Sequence, residues 1–394
     1  MARAMAPAMT NEVVARRMPP WGAQDTSECK PPLPWRADER LTEDEIGILQ
    51  RWDEAGAPEG DARDAPPAVE PVQSLRLVAP MIDLAPPVAY QPAGTATDEF
   101  RCFVLDAPEI AAGGFVSAID VVPGNRKIVH HVSVYADVGG IAASRAGPDG
   151  SFDCPNGSVA HGIDGEQPKL TWMLAWAPGA RPLELPSNVG IHVQPGSKIV
   201  MEVHYSPGGQ AVEPDHTHLQ LVMKEDKPEY TVSSWGIGNY PAADQVGDGL
   251  LPGDDGVVEF RIPAGATNHV EEMQASCYAP SPVPIFGLRA HAHLAAVDLK
   301  VDLIHEGETQ CLLQDRWDFH WQRVYSFDAP IESLPVVHPG DKIRLRCTYD
   351  NSMYNRRLGQ ALWERGLPPM DLTLGEGTLS EMCLVELLYI AKTP

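Results

Sequence analysis

The sequence predicts a mainly β protein: two tandem antiparallel β-sandwich (jelly-roll-like) domains behind a short helical N-terminal segment. Three observations carry this reading. Proline (38) and glycine (34) are abundant among 394 residues, a composition suited to many short strands joined by turns. From about residue 99 the chain breaks into short runs of period-two alternation, separated by Pro-Gly, Gly-Gly and Asn-Gly turns. Two of these turns recur in corresponding places, Pro195-Gly196-Ser197-Lys198-Ile199 and Pro339-Gly340-Asp341-Lys342-Ile343, each feeding a strand. That repeat suggests two sandwiches of one kind, dividing near residues 226–230.

Residues 1–63 form the helical segment. Val13 to Arg17 reads as a helix end, stopped by Pro19-Pro20. Thr42 with Glu45 makes a capping box, and Ile46, Leu49 and Trp52 continue it as an apolar stripe ended by Gly56 and Pro58. Residues 64–98 are rich in Pro, Ala and Asp and read as a linker or extended arm. The first sandwich is expected over 99–227, with strands at Phe100–Leu105, Lys127–Tyr135, Lys198–Tyr205 and Leu219–Met223. The second is expected over 228–394, with strands at Val257–Ile262, Val297–Ile304, Ile343–Tyr349 and Leu384–Ile390.

Charge narrows the function. Fifty-four acidic residues against 30 basic ones leave −24 at neutral pH, which argues against a nucleic-acid partner and against docking on anionic lipid. No apolar run reaches the roughly 18–20 residues of a membrane-spanning helix. Seven cysteines are scattered with no CxxC pair, so at least one thiol is left over within the chain. Their spacing favours a few disulfides and an extracytoplasmic (periplasmic or secreted) location. The first residues have no continuous apolar stretch of the signal-peptide kind.

Thirteen histidines supply the chemistry. His130-His131 lies inside an apolar strand, where adjacent side chains point to opposite faces, so both rings reach one ion only if the backbone twists there. His291-Ala292-His293 has the i, i+2 spacing that puts both imidazoles on one face of a strand. His216-Thr217-His218 shares that spacing but sits in a polar loop and reads as a solvated turn. His204, taken singly, reads as a half-buried histidine. Met382 precedes the terminal apolar strand, and its thioether is a soft donor that selects copper, so an HxH strand joined with it makes a His2Met copper site.

Together the blocks VHHVSVY, VMEVHYSPGG, LRAHAHL, HPGDKIRLRCTYDNS and LSEMCLVELLY resemble the copper type II, ascorbate-dependent monooxygenases, the family of dopamine β-hydroxylase and the peptidylglycine α-hydroxylating monooxygenase. The resemblance covers roughly residues 95–392. It implies two copper ions. One, the electron-transfer centre, would be held by His130, His131 and His204; the other, where O2 is activated, by His291, His293 and Met382. The two would face each other across a solvent-filled cleft, with ascorbate as reductant and a small molecule or peptide as the hydroxylated substrate. It also implies a disulfide between Cys347 and Cys383 that holds Met382 in register.

Other positions depart from the family pattern. Arg289 stands where the peptidylglycine enzyme anchors a substrate carboxylate, but Leu384 and Glu386 replace the Asn and Tyr that follow the methionine there. Arg289 and Glu386 are therefore the candidate substrate-binding residues, with Glu386 either offsetting Arg289 or meeting a cationic group. Cys102–Cys154 and Cys277–Cys311 are the alternative pairings for cysteines without family counterparts. VVARRMPPW and LTEDEIGILQRWDEAGAPEGD resemble the end of a cytochrome-c-like domain with Met18 as distal ligand, yet no CxxCH is present. No haem on this chain is expected, Met18 and Trp21 being read as packing residues, and a cytochrome-type electron donor remains a candidate partner. The alternative to a hydroxylase is a copper-binding redox or storage module.

Overall fold

The computed structural model describes residues 2–64, 81–94, 98–154, 157–163, 166, 168–178, 180–207, 212–239, 251 and 259–393. The chain is mainly β, with several antiparallel sheets and, among the described residues, three α-helices: Ala2–Val14, Glu43–Glu54 and Arg356–Glu364. A five-stranded sheet carries Ser151–Asp153, Glu99–Leu105, Lys198–Tyr205, Val129–Asp137 and Leu170–Trp176 in that spatial order. A four-stranded sheet carries His269–Ser276, Lys342–Tyr349, Ala296–His305 and Glu308–Asp315.

The remaining large sheet crosses from one half of the chain to the other. Its path runs through Ile82–Leu84, His218–Met223, Gly114–Val122 and Val189–Val193, then on through Tyr230–Gly238, Leu384–Lys392, Val283–His291 and Tyr325–Ser326. The crossing is a short parallel contact, Tyr230 against Val189 and Thr231 against Gly190. One hydrophobic cluster likewise spans both halves, from Phe103 and Val132 to Leu345 and Leu387. The halves thus share a sheet and a core.

Local chemistry explains the elements. Lys342–Tyr349 alternates, with Ile343, Leu345, Cys347 and Tyr349 all buried, the signature of a strand with one face on a core. Lys198–Tyr205 is buried on both faces after its first residue, as befits a strand in mid-sheet. The two repeated turns close with Ser197 N–H donating to Gln194 O (3.2 Å) and Asp341 N–H to His338 O (3.0 Å). Their third residues, Gly196 and Gly340, have φ of 77° and 87°, the geometry of a type II turn that a side chain resists. The helix Glu43–Glu54 starts on the Thr42–Glu45 capping box and buries Ile46. The helix Arg356–Glu364, capped by Asn355, was not anticipated; it buries Leu358, Gly359, Ala361 and Leu362.

Within the stretch read as a linker or extended arm, Ile82–Leu84 pairs with Leu219–Leu221, and Tyr90 bridges to Asp215. Residues 65–80 and 95–97 of that stretch lie outside the described residues. The strand anticipated at Val257–Ile262 is found at Arg261–Ile262, its first positions again lying outside the described residues. Cys277 does not pair with Cys311; it is buried and free, and Cys311 is joined to Cys29. The other bridges are Cys102–Cys154 and Cys347–Cys383. Trp21 is buried, but Met18 is 48% exposed and does not pack as its neighbour does.

Cys29 belongs to a strap, residues 20–41, laid over the second half. Trp35 stacks on Phe327 (centroids 4.8 Å apart) and Trp21 meets Tyr325 edge-on (5.3 Å). Gln24 N–H donates to Gln314 O, and Arg36 N–H to Ser326 O, both at 2.8 Å. Because the disulfide closes a very long loop, replacing Cys29 and Cys311 together by Ser is expected to lower stability by about 2–5 kcal/mol. Denaturant unfolding of the double variant measures this; an unchanged midpoint would show that ring stacking alone holds the strap.

Candidate metal centres and the cavity between them

The first histidine group rests on two neighbouring strands, Val129–Asp137 and Lys198–Tyr205, where His131 lies opposite His204. The register shifts between Val129 and His131. Such a bulge re-aims one side chain, and it answers the alternation problem: His130 and His131, adjacent in sequence, present their Nδ1 atoms to each other at 3.2 Å. His204 Nδ1 stands 3.3 Å from His131 Nδ1. Imidazole nitrogens about 2.0 Å from a tetrahedral transition metal are about 3.3 Å apart. The three rings each bring a nitrogen within 4.8 Å of the other two, and nitrogens gathered so closely cannot all satisfy one another, so the donor set fits a metal ion. Phe100 stacks on His204 (4.2 Å) and Phe319 on His130 (4.2 Å), fixing the ring planes.

The remaining ring nitrogens orient the group. His204 Nε2–H donates to Asp98 Oδ1 at 2.9 Å, which leaves its Nδ1 lone pair for a metal. Asp98 also accepts from the hydroxyl of Thr378 and, at 3.2 Å, from its N–H. Burial opposes ionisation of Asp98, yet His204 and Thr378 outweigh it and hold its carboxyl down at about 2. His130 Nε2 is buried without a partner.

The second group sits at the end of the strand Val283–His291. His293 lies two residues on, just past the strand, so the pair is set by a strand end and the turn after it. The rings are 5.3 Å apart. His291 Nδ1–H donates to Gln322 Oε1 (2.9 Å), and His293 Nδ1–H to Ser380 O (3.0 Å). Both therefore keep Nε2 for a metal, the opposite atom from the first group. Met382, 1% exposed, lines the same cavity as His291.

The methionine segment is fixed from several sides. Tyr349 Oη–H donates to Met382 O (2.8 Å), Cys383 N–H donates to Asn239 Oδ1 (2.7 Å), and the Cys347–Cys383 bridge ties the segment to the four-stranded sheet. The Glu381 carboxylate accepts four backbone N–H groups: His293 (2.9 Å), Ala295 (2.6 Å), Ala296 (3.3 Å) and Met382 (3.1 Å). It thereby joins the HxH turn to the methionine.

Between the groups lies a cavity of about 480 Å³, walled by His131, Glu202 and Trp172 from one half and by His291, Met382 and Glu386 from the other. His131 and His291 approach to 5.9 Å between ring centres. Arg289 and Glu386, the candidate substrate residues, both line the cavity and pair with each other at 3.3 Å. Arg289 also donates to Gln322 (3.3 Å). Glu202 and Glu376 add two more carboxyls, burial raising them to about 7 and about 8. His216 and His218 stand elsewhere, His218 against Asp83 at 3.1 Å and His216 against Pro86 O at 2.9 Å. Asp98, Phe319, Gln322 and Glu381 were missed in the sequence; only Glu381, beside Met382, had any local signal.

Two family profiles match this chain: the copper type II ascorbate-dependent monooxygenase N-terminal domain over residues 87–210, and the C-terminal domain of the same family over residues 259–362. The chain belongs to the copper type II ascorbate-dependent monooxygenases. All three histidines of the first group fall inside the first match, and His291 and His293 inside the second. Among curated relatives of this chain, DBH-like monooxygenase protein 1 of Homo sapiens is 24% identical over 275 residues, and that of Mus musculus 25%. Each alignment covers 68% of this chain and 40% of the relative's length. Among solved structures, Broad Bean Stain Virus (TM-score 0.29, 7% identity, 85% of this chain and 95% of that one) and recombinant peptide N-glycanase F (0.28, 10%, 79% and 96%) share too little shape to inform the site.

Burial sets the protonation of the two histidine groups. His130, His131 and His291 are pushed well below the usual 6.5, first by desolvation and then by neighbouring positive charge, including Arg289 beside His291. Desolvation takes His293 down to about 4. Neutral imidazole is the ligand form. These depressed histidines cost stability as pH falls below 6.5. The raised carboxyls act oppositely: their contribution is complete below the usual 4.5 and is lost as pH rises through about 7 for Glu202 and about 8 for Glu376. Above pH 6.5 only the second effect remains. Copper-free protein should therefore lose stability from pH 6.5 to 8, and Glu376→Gln should flatten that slope; a level wild-type profile in denaturant titrations would contradict the assignment. Glu381→Ala, which strands four N–H groups, is expected to cost about 3–5 kcal/mol and to weaken metal binding at the second group roughly 10–100-fold, read by metal-dependent thermal shift.

Proposed function

We propose that this protein hydroxylates a C–H bond of a small molecule or peptide, using O2 and a one-electron reductant such as ascorbate. The observation that carries the reading is the pair of oriented histidine groups, one offering Nδ1 atoms and the other Nε2 atoms, at opposite walls of one cavity. His130, His131 and His204 would hold one copper, and His291, His293 and Met382 the other. Copper so bound supplies one-electron redox chemistry and O2 reactivity, which no side chain here provides.

The chain's own residues do the rest. Gln322 and Ser380 fix the tautomers of His291 and His293, and burial keeps both rings neutral. The walls contributed by both halves hold a substrate against the histidines. Arg289 is already satisfied by Glu386, so a substrate carboxylate would have to displace that partner to be anchored there. This supports a substrate other than a free C-terminal carboxylate. Three disulfides support an extracytoplasmic setting, and the paired turns support two sandwich domains, 99–227 and 228–394.

Met382→Ala is expected to cut hydroxylated product by roughly 100-fold while copper stays loaded on the three-histidine group. Product formation and copper per chain, measured together, test this. Ascorbate-driven O2 consumption that never yields a hydroxylated product, across a broad panel of amines and peptides, would favour the copper redox or storage module instead.

A further inference from the structure

The strap builds a second pocket, of about 330 Å³, that shares no lining residue with the cavity between the histidine groups. Three parts of the chain meet there: Trp21 and Arg36 from the strap, Arg181 from the first half, and Arg323 from the segment that carries Gln322. Three arginines around one pocket stand out in a protein of formal charge −24. Glu39 pairs with both Arg181 and Arg323, the latter at 2.7 Å. Arg36 makes no ion pair among the described residues; its guanidinium lies 5.7 Å from the centre of the Phe286 ring. With Glu184 the only acid in the lining and Glu39 engaged behind it, one positive charge is left over.

The hydrogen-bond ledger points the same way. The Nε–H of Arg36, the Nε–H of Arg323 and the indole N–H of Trp21 are all buried without an acceptor. Buried donors normally have partners, and guanidinium and indole N–H groups only donate. Water would accept from them but would leave the surplus charge standing. The Arg323 guanidinium lies 5.4 Å from the centre of the Trp21 ring, and these two flat groups both belong to the wall. An occupant that answers all of this is planar, rich in oxygen and singly negative.

We infer that this pocket, walled by Arg36, Arg323 and Trp21, binds a small planar oxyanion, and that the ascorbate monoanion is its ligand. The choice of ascorbate among such anions rests on the hydroxylase reading and on position: Arg323 adjoins Gln322, whose Oε1 accepts from His291. The anion and a substrate can be bound together, since the two cavities are separate. The oxyanion site itself does not depend on the hydroxylase reading.

Calorimetric titration of the copper-free full chain with sodium ascorbate under argon tests the site without any turnover. One ascorbate per chain is expected, weakened at least tenfold by Arg36→Met and less by Arg36→Lys, which keeps the charge. Circular dichroism of both variants checks that they fold, and Arg36→Lys keeps the test informative should Arg36→Met fail to. On the copper-loaded protein, Arg36→Met should raise the KM for ascorbate about as much, leaving kcat at saturating ascorbate and the substrate KM in place. Ascorbate binding that is absent in the wild type, or unchanged in Arg36→Met, overturns the inference. So does inorganic phosphate displacing ascorbate at equal or lower concentration, or a loss of binding with no change in the ascorbate KM. Failure of the hydroxylase reading looks different: no oxygenated product, with the calorimetry as expected.

Discussion

The second histidine group depends on one buried carboxylate. Glu381 is fully buried and gathers the backbone N–H groups of His293, Ala295, Ala296 and Met382. Burial pushes its carboxyl up to about 7 while the four donors pull the other way, the arrangement that makes a buried acid tolerable only when every lone pair is used. The ladder between Val283–His291 and Leu384–Lys392 ends where His291 faces Leu384, and Glu381 ties together the backbone that continues past it. The turn after His291 and the residue before Cys383 are thus one unit, which the Cys347–Cys383 bridge fastens to the adjoining sheet.

The same logic, a polar partner committed at each buried group, orders the imidazoles. His204, His291 and His293 each spend one nitrogen on Asp98, Gln322 or Ser380. The nitrogen left over differs between the groups, Nδ1 in the first and Nε2 in the second, so ring orientation is decided outside the donor set. Low local dielectric then keeps the His291 and His293 rings neutral and makes proton uptake the natural competitor of metal. His130 is held differently: its ring stacks on Phe319, which the second half contributes.

Much of this was legible in the sequence, for identifiable reasons. Alternation located strands such as Lys198–Tyr205 because both their faces or one face must be apolar, and the capping box located the helix after Thr42. The HxH and Met382 motifs were visible because metal donors are rare and tightly spaced. The rest depended on long-range pairing. Nothing local marks the bulge at His130, which decides whether two adjacent histidines can cooperate. Nothing local marks Asp98 or Gln322, which lie 106 and 31 residues from the rings they orient. The Arg356–Glu364 helix is short and its buried set includes glycine and alanine, too faint a stripe to read. The Cys29–Cys311 pairing spans 282 residues, and no spacing rule reaches that far.

Asp98 has a consequence beyond holding one ring. Its carboxylate serves His204 on one side and Thr378 on the other, and Thr378 belongs to the stretch leading to Met382. Two equilibria that draw on a shared acceptor are thermodynamically linked, and the linkage runs equally in both directions. Ordering of the imidazole and settling of the stretch beside the thioether therefore reinforce each other, so that a protein built from two halves closes around its chemistry in a concerted way.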